Sequence, residues 1–440
     1  MTYSPFDNLP PLSQKEALQI LSTPVSELKL VSDYYKAVFH LIKYPGSKTE
    51  KALLNLLESE DNDQAVLIAK RKAVEGLATL GSKSSIPVIG KCLKTSDPYL
   101  TENAAWALKV LNCNDNALHK VIIELLDDPR QNTRNLIQCL AGMKVYSAVE
   151  KIRTFLYNSN TSESIRGASI AALSQLSGEK CFIEELEEHL LLPNQNQRHS
   201  AIQDAIDFGS LDLLPAVLKA PVSVSFRLRA FESLWPEGLD YFQGFRPIEV
   251  VDSFIFDKPS NLNLVHKYDA PPTIDFLFEE LFGTDFSRCY LALKTLQEYK
   301  SDEISPKLGF YLKKASKDYG AIYFLISLFR AIPDWGEQEI KEIESFLIRS
   351  LDIYWPDFMK FKPLSIVTLS EINPVRAMNY LDYFTDPDST RFWVSRYAAI
   401  IAIENILRSD QLIIANNRWL RLKQDPNYFV RQKAGLVFRD

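Results

Sequence analysis

The sequence is poor in glycine, with only 15 in 440 residues. Turn-dense β folds use more, and helices tolerate the scarcity best. Its five cysteines, Cys92, Cys113, Cys139, Cys181 and Cys289, form no CxxC pair and are odd in number. That excludes a disulfide framework and suits reduced thiols in a cytoplasmic protein. A basic excess is also missing, because the formal charge is −6. Nucleic acid as the main partner is excluded on that ground, although a local basic pocket is not. No apolar run approaches the roughly 18 residues of a membrane span, and Met1–Asp7 shows no basic stretch ahead of an apolar one. Neither membrane insertion nor a secretory leader is expected.

Catalytic signatures are lacking too. No Gly-rich phosphate loop, GxSxG elbow or HExxH helix occurs. One class of helical-repeat enzymes binds two irons through repeated His-Glu pairs. Here His40, His119, His189, His199 and His266 precede Leu, Lys, Leu, Ser and Lys, so no metal site is expected. Each histidine reads as a surface or partly buried residue. Cys92, Cys139 and Cys181 fall at apolar helical positions and read as small core residues. Cys113 and Cys289 have no neighbouring histidine to activate them.

What is present is a period. A small-residue helix recurs at Arg71, Asn103, Arg134, Arg166, Arg198 and Arg229, at intervals of 32, 31, 32, 32 and 31 residues. Two short helices and two turns fill such a period. Asp97-Pro98, Asp128-Pro129, Asn158 with Asn160, and Asn194 with Asn196 open the units. Their side chains can cap orphan amides, and proline suits a first helical turn. Alanine or leucine at i, i+3 and i+4 follows, as in Ala104, Ala107 and Leu108, and small residues let the next helix approach closely. The period breaks after Trp235. Between Pro236 and Pro272 lie seven Pro and Gly residues, with Phe242, Phe245, Phe254, Phe256 and Tyr268 among them. The signature returns in Asp386-Pro387 before Arg396, and in Asp425-Pro426 before Arg431.

The expected fold is all-α, an α-solenoid of HEAT-like helical-hairpin repeats curved around a concave binding face. Residues 1–65 form an irregular helical N-terminal cap and 66–235 the repeat array. Residues 236–272 form an irregular, aromatic-rich insertion or joint, and 273–440 the C-terminal repeats. One continuous solenoid with a disturbed middle is favoured over two sub-arrays. From the residues alone, such an array reads as a non-catalytic scaffold that binds other proteins.

The stretch Glu102-Asn103-Ala104-Ala105-Trp106 is more specific than the generic repeat, which carries Val-Arg there. With Phe6–Pro10, Ser32–Lys36 and Arg396–Ala399, it resembles the E/F-type phycobilin lyases. Those are HEAT-repeat proteins of cyanobacteria that attach open-chain tetrapyrroles to phycobiliproteins. The length resembles their long single-chain branch, which serves phycoerythrin α-subunits. Membership implies phycoerythrobilin as substrate, no resident cofactor, a thioether to a cysteine of the acceptor, and in some members isomerisation to phycourobilin. The Asn-His-Cys-Gln-Gly-Asn motif of the two-chain isomerising lyases does not occur here.

A long tetrapyrrole with two propionates calls for aromatic walls, cations for the carboxylates, and a carboxylate near the pyrrole nitrogens. The nucleophile belongs to the acceptor, so the lyase orients rather than attacks. Glu102, Asn103 and Trp106 match the signature; the plain alternative is a cap with a core indole. Arg134 and Arg166 suit propionates, or else pair with the Asp of a neighbouring turn. Asp204 and Asp207 share a helix face and could meet the pyrrole nitrogens, Asp204 catalytically. Arg227, Arg229 and Trp235 stand where the array breaks. Asp318 and Tyr319 offer an acid/base pair, with Trp335 as a nearby aromatic.

Overall fold

The computed structural model describes residues 11–28, 30–61, 63–353, 360–408 and 417–438. Phe6–Pro10, part of the resemblance, lies outside them. The chain forms two compact units, Met1–Ile183 and Glu184–Asp440, and the division falls before the 236–272 insertion. The regular elements described are helices, joined to the expected all-α solenoid of helical hairpins.

In the first unit the packed layer consists of α1 (Gln64–Thr79), α2 (Pro98–Val110), α3 (Thr133–Gly142) and α4 (Glu163–Ser177). These helices pack directly on one another, more closely than their partners in the other layer do. The reason is local. In α2, Leu100, Ala104, Ala105, Ala107 and Leu108 are buried, and alanine faces permit close helix approach. Asp97 accepts from the Tyr99 amide at 3.1 Å, with Pro98 in the first turn. Asn112 and Lys144 adopt positive φ, at 51° and 57°, in the turns after α2 and α3.

The second unit has a packed layer of α5 (Gln195–Phe208), α6 (Val224–Leu234), α8 (Phe286–Leu296), α9 (Tyr319–Ala331), α10 (Phe361–Ile372), α11 (Trp393–Arg408) and α12 (Tyr428–Val437). Between α6 and α8 the insertion contributes one helix, α7 (Pro247–Ile255). Its Val250, Val251, Phe254 and Ile255 are buried. Asp252 on α7 accepts from Tyr397 on α11 at 2.8 Å and from Lys433 on α12 at 2.9 Å. Phe256 lies under Arg330 of α9 at 5.1 Å, and Asp257 reaches α6, α8 and α9. The insertion therefore ties five helices of this unit together. Phe231, Phe254 of α7, Trp393 and Phe429 join one hydrophobic core.

Some expected environments need correction. Cys181 is exposed, because α4 ends at Gly178 (φ 74°) and residue 181 lies in the following loop rather than on a helix face. His40, His119 and His189 are buried. His119 keeps its ring nitrogen satisfied by the Cys113 carbonyl at 3.0 Å. Among the described residues no helix is long and apolar enough to cross a membrane, and no group of His, Cys, Asp and Glu is placed to hold a metal ion.

Candidate functional site

On α2 the signature residues do two jobs. Asn103 donates to the Arg71 carbonyl on α1 at 3.2 Å, and Glu102 accepts from Asn132 and Asn135 on the α3 side. These ties lock α2 to both neighbours. Trp106, one turn on, stays 36% exposed on the face opposite the buried alanines, so it is not a core indole. A hollow of about 890 Å³ lies in the same unit. Leu57, Leu67, Val88 and Leu100 supply its apolar wall, and Lys70, Arg71 and Lys91 its cations. Arg71 is held bidentately by Asp97, at 2.8 and 3.0 Å. Lys91 is largely exposed, with Glu58 at 3.7 Å, and is the more loosely held cation.

Arg134 and Arg166 are tied into the scaffold, donating to the Ser164 and Leu156 carbonyls at 2.7 Å each. The Arg-to-turn pairing foreseen for repeat arginines appears elsewhere, in Arg71–Asp97, Arg227–Asp257 and Arg396–Asp425. Two expectations are corrected by burial. Asp204 is only 1% exposed, so no ligand reaches it, whereas Asp207 is half-buried and accepts from Gln203 at 2.8 Å. Trp235 is sealed in the core with its indole N–H on the Leu239 carbonyl at 2.8 Å, so it cannot wall a pocket. Trp335 stacks on Phe329 and donates to its carbonyl at 2.9 Å. Arg229 is exposed, lies over Phe226 at 5.5 Å and donates to Gln203.

Arg227 heads a cluster that the sequence did not announce. Its side chain, 3% exposed, pairs with Asp257 at 2.7 Å and donates to the Tyr290 hydroxyl at 3.1 Å. Tyr290 and Tyr323 both donate to Asp257, the latter at 2.9 Å. Burial pulls Arg227 toward losing its proton, but Asp257 and the tyrosines more than reverse this. Burial and Asp257 together hold both tyrosines protonated well above their usual range. A fixed anion is thus buried with matching donors.

Beside it stands Lys360, just before α10. Its ammonium lies 3.7 Å from the Phe286 ring centre, 4.7 Å from Tyr323 and 5.4 Å from Phe324. Burial pushes its pKa down to about 7, against the opposing pull of Cys289, Asp257 and Asp318. Cys289, fully buried, is pushed up to about 12 by the same desolvation and is no nucleophile. The expected acid/base pair comes to this place. Asp318 caps α9, accepting from the Ala321 amide at 2.9 Å, and exposed Tyr319 lies 5.7 Å from Phe361, the residue after Lys360. Sequence reasoning missed Asp257, Tyr290, Tyr323 and Lys360. A signal existed for three: Tyr290 and Tyr323 are one repeat apart, and Asp257 follows Arg227 by 30 residues, much as Asp425 follows Arg396 by 29.

A family model of HEAT repeats matches residues 50–135. The bilin biosynthesis protein CpeY of Synechococcus sp. (strain WH8020) is 36% identical over 92% of this chain and 97% of its own length. The chain belongs to the E/F-type phycobilin lyase family. It is a bilin lyase, whose work is chromophore attachment to phycobiliproteins. An uncharacterized phycocyanin operon protein Y of Pseudanabaena tenuis (strain PCC 7409) is 31% identical over 94% of this lyase and 97% of that protein. The complex of CpcE and CpcF of phycocyanin lyase from Nostoc sp. PCC7120 is 25% identical over 58% of this lyase and 98% of the solved chain, with a TM-score of 0.46.

Proposed function

We propose that this lyase attaches phycoerythrobilin to a cysteine of a phycoerythrin α-subunit. The thiol sulfur bonds to the outer carbon of the A-ring ethylidene, and the proton ends on the ring carbon of that double bond. Nothing is oxidised or reduced, and no resident cofactor is required. In the isomerising variant a proton leaves one bilin carbon and returns at another, shifting a double bond to give bound phycourobilin.

The observation that carries this reading is Trp106. Glu102 and Asn103 spend their polar atoms on neighbouring helices and leave the indole facing outward. A flat aromatic face at a rigid position suits a conjugated pigment. The hollow of about 890 Å³ is of ligand size, and Lys91 at its lip suits a propionate. Arg229 remains a candidate cation. Tyr319 is the exposed member of the proposed proton-handling pair and the candidate for isomerisation.

The test is co-production of the chain with phycoerythrobilin and a phycoerythrin α-subunit, followed by absorbance of the denatured acceptor. A covalent phycoerythrobilin adduct supports the reading, and a blue-shifted adduct adds isomerisation. Pigment that washes off every acceptor cysteine refutes it.

A further inference from the structure

Among the described residues, the Lys360 ammonium has no anion of its own. Three aromatic rings surround its ammonium, and ring faces attract a cation without neutralising it. Carboxylates are nearby, yet each is committed elsewhere. Asp257 takes Arg227, Tyr290 and Tyr323. Asp318 caps α9 through the Ala321 amide. Asp285, one residue before Phe286, caps α8 through Ser287 and takes Arg198 and His266. Among the described residues none is hydrogen-bonded or ion-paired to the Lys360 ammonium. The groups acting on it are Asp257 and Arg227 around α7 and α6, Asp318 at α9, and the neutral thiol of Cys289 on α8, with the protonated hydroxyl of Tyr323 alongside. The residue as a whole is half-buried, so one side meets the surface.

An ammonium with three unused donors is completed most simply by a carboxylate. Phosphate would need further donors, and the surrounding rings offer none. Of the three rings only Phe286 is half-buried, and its face is the one a flat conjugated molecule can reach; Tyr323 and Phe324 are sealed and hold the ammonium from inside. We propose that Lys360, with the half-buried Phe286 ring beside it, binds a carboxylate of a flat, conjugated ligand, in this lyase a propionate of the linear tetrapyrrole. The naming of the propionate rests on the bilin-lyase reading above; the need for a carboxylate rests on the cage.

A consequence separates this from a structural role. Without a carboxylate beside it the amine loses its proton near neutrality, and an arriving carboxylate makes it take one up. Binding therefore consumes up to one proton at slightly alkaline pH and weakens as pH rises.

The experiment titrates the full chain with phycoerythrobilin, and separately with its propionate dimethyl ester, by absorbance between pH 6.5 and 8.5. At pH 6.5 the wild type is expected to prefer the free acid by about tenfold or more. Lys360→Met keeps an apolar stem among the rings and is expected to bind acid and ester within about threefold. Lys360→Arg, charged throughout, is expected to keep the preference at pH 8.5, where the wild type has lost most of it. Retention of the acid preference in Lys360→Met overturns the proposal while leaving the lyase reading intact. A wild type that binds neither pigment form overturns both.

Discussion

Replacing Asp257 by alanine removes the anion at the centre of the second unit and leaves Arg227 sealed inside it. What remains for the guanidinium is the Val222 carbonyl at 3.3 Å, the Leu218 carbonyl at 3.5 Å and the Tyr290 hydroxyl at 3.1 Å. None carries charge, and Tyr323 loses its acceptor as well. Removing one partner of a buried pair costs about 3–5 kcal/mol, mostly because the other charge is stranded. In a unit of this size each kcal/mol shifts Tm by roughly 2–4 °C, so the expected drop is about 6–20 °C. Calorimetry of the full chain measures it, and only the transition of the second unit is expected to move. The control is the double substitution Arg227→Met with Asp257→Leu, which strands no charge. Its cost is expected to fall well short of the two single costs added together. The reasoning is refuted by an Asp257→Ala drop under about 2 °C, or by a double variant that costs the full sum.

Trp106→Ala is expected to leave stability within about 0.5 kcal/mol, since the indole is part-exposed. Bilin transfer to the acceptor is expected to slow by about tenfold; an unchanged transfer rate removes Trp106 from the site. Asn103→Ala cuts the tie to the Arg71 carbonyl and is expected to cost about 1 kcal/mol in urea unfolding of the first unit. Lys360 supplies a pH dependence. Its folded pKa, about 7, lies below its ordinary 10.5, so from about pH 7 upward the unfolded chain holds more protons there than the folded one. Stability is therefore expected to rise with pH between about 7 and 9 and to fall again as pH drops toward 7, with a slope of at most about 1.4 kcal/mol per pH unit. Lys360→Met should flatten that part of the slope, read from urea midpoints across the window, and an unaltered slope would contradict the burial of the amine.

The fold was legible because its cause repeats. Capping Asp or Asn, proline in the first turn and alanines at helical spacing act locally, and they recur every 31 or 32 residues. The signature at Glu102–Trp106 could be read as specific, but not how it works. Its polar atoms meet groups about 30 positions away on adjacent helices, as Asn103 does with Arg71. Asp204 misled for a similar reason, since the helical spacing that pairs it with Asp207 does not say which of the two faces inward.

What the sequence determined by itself is whatever depends on neighbours along the chain: helices, their caps, their pairing into hairpins, and the stacking of like on like. What only the tertiary structure decided is where the break in the period goes. The 236–272 insertion sets Asp252 against Tyr397 and Lys433, 145 and 181 residues further on. It sets Asp257 against Arg227, Tyr290 and Tyr323. An ionisable side chain is harmless in water and decisive in a core, and a linear sequence does not show which of the two it will meet.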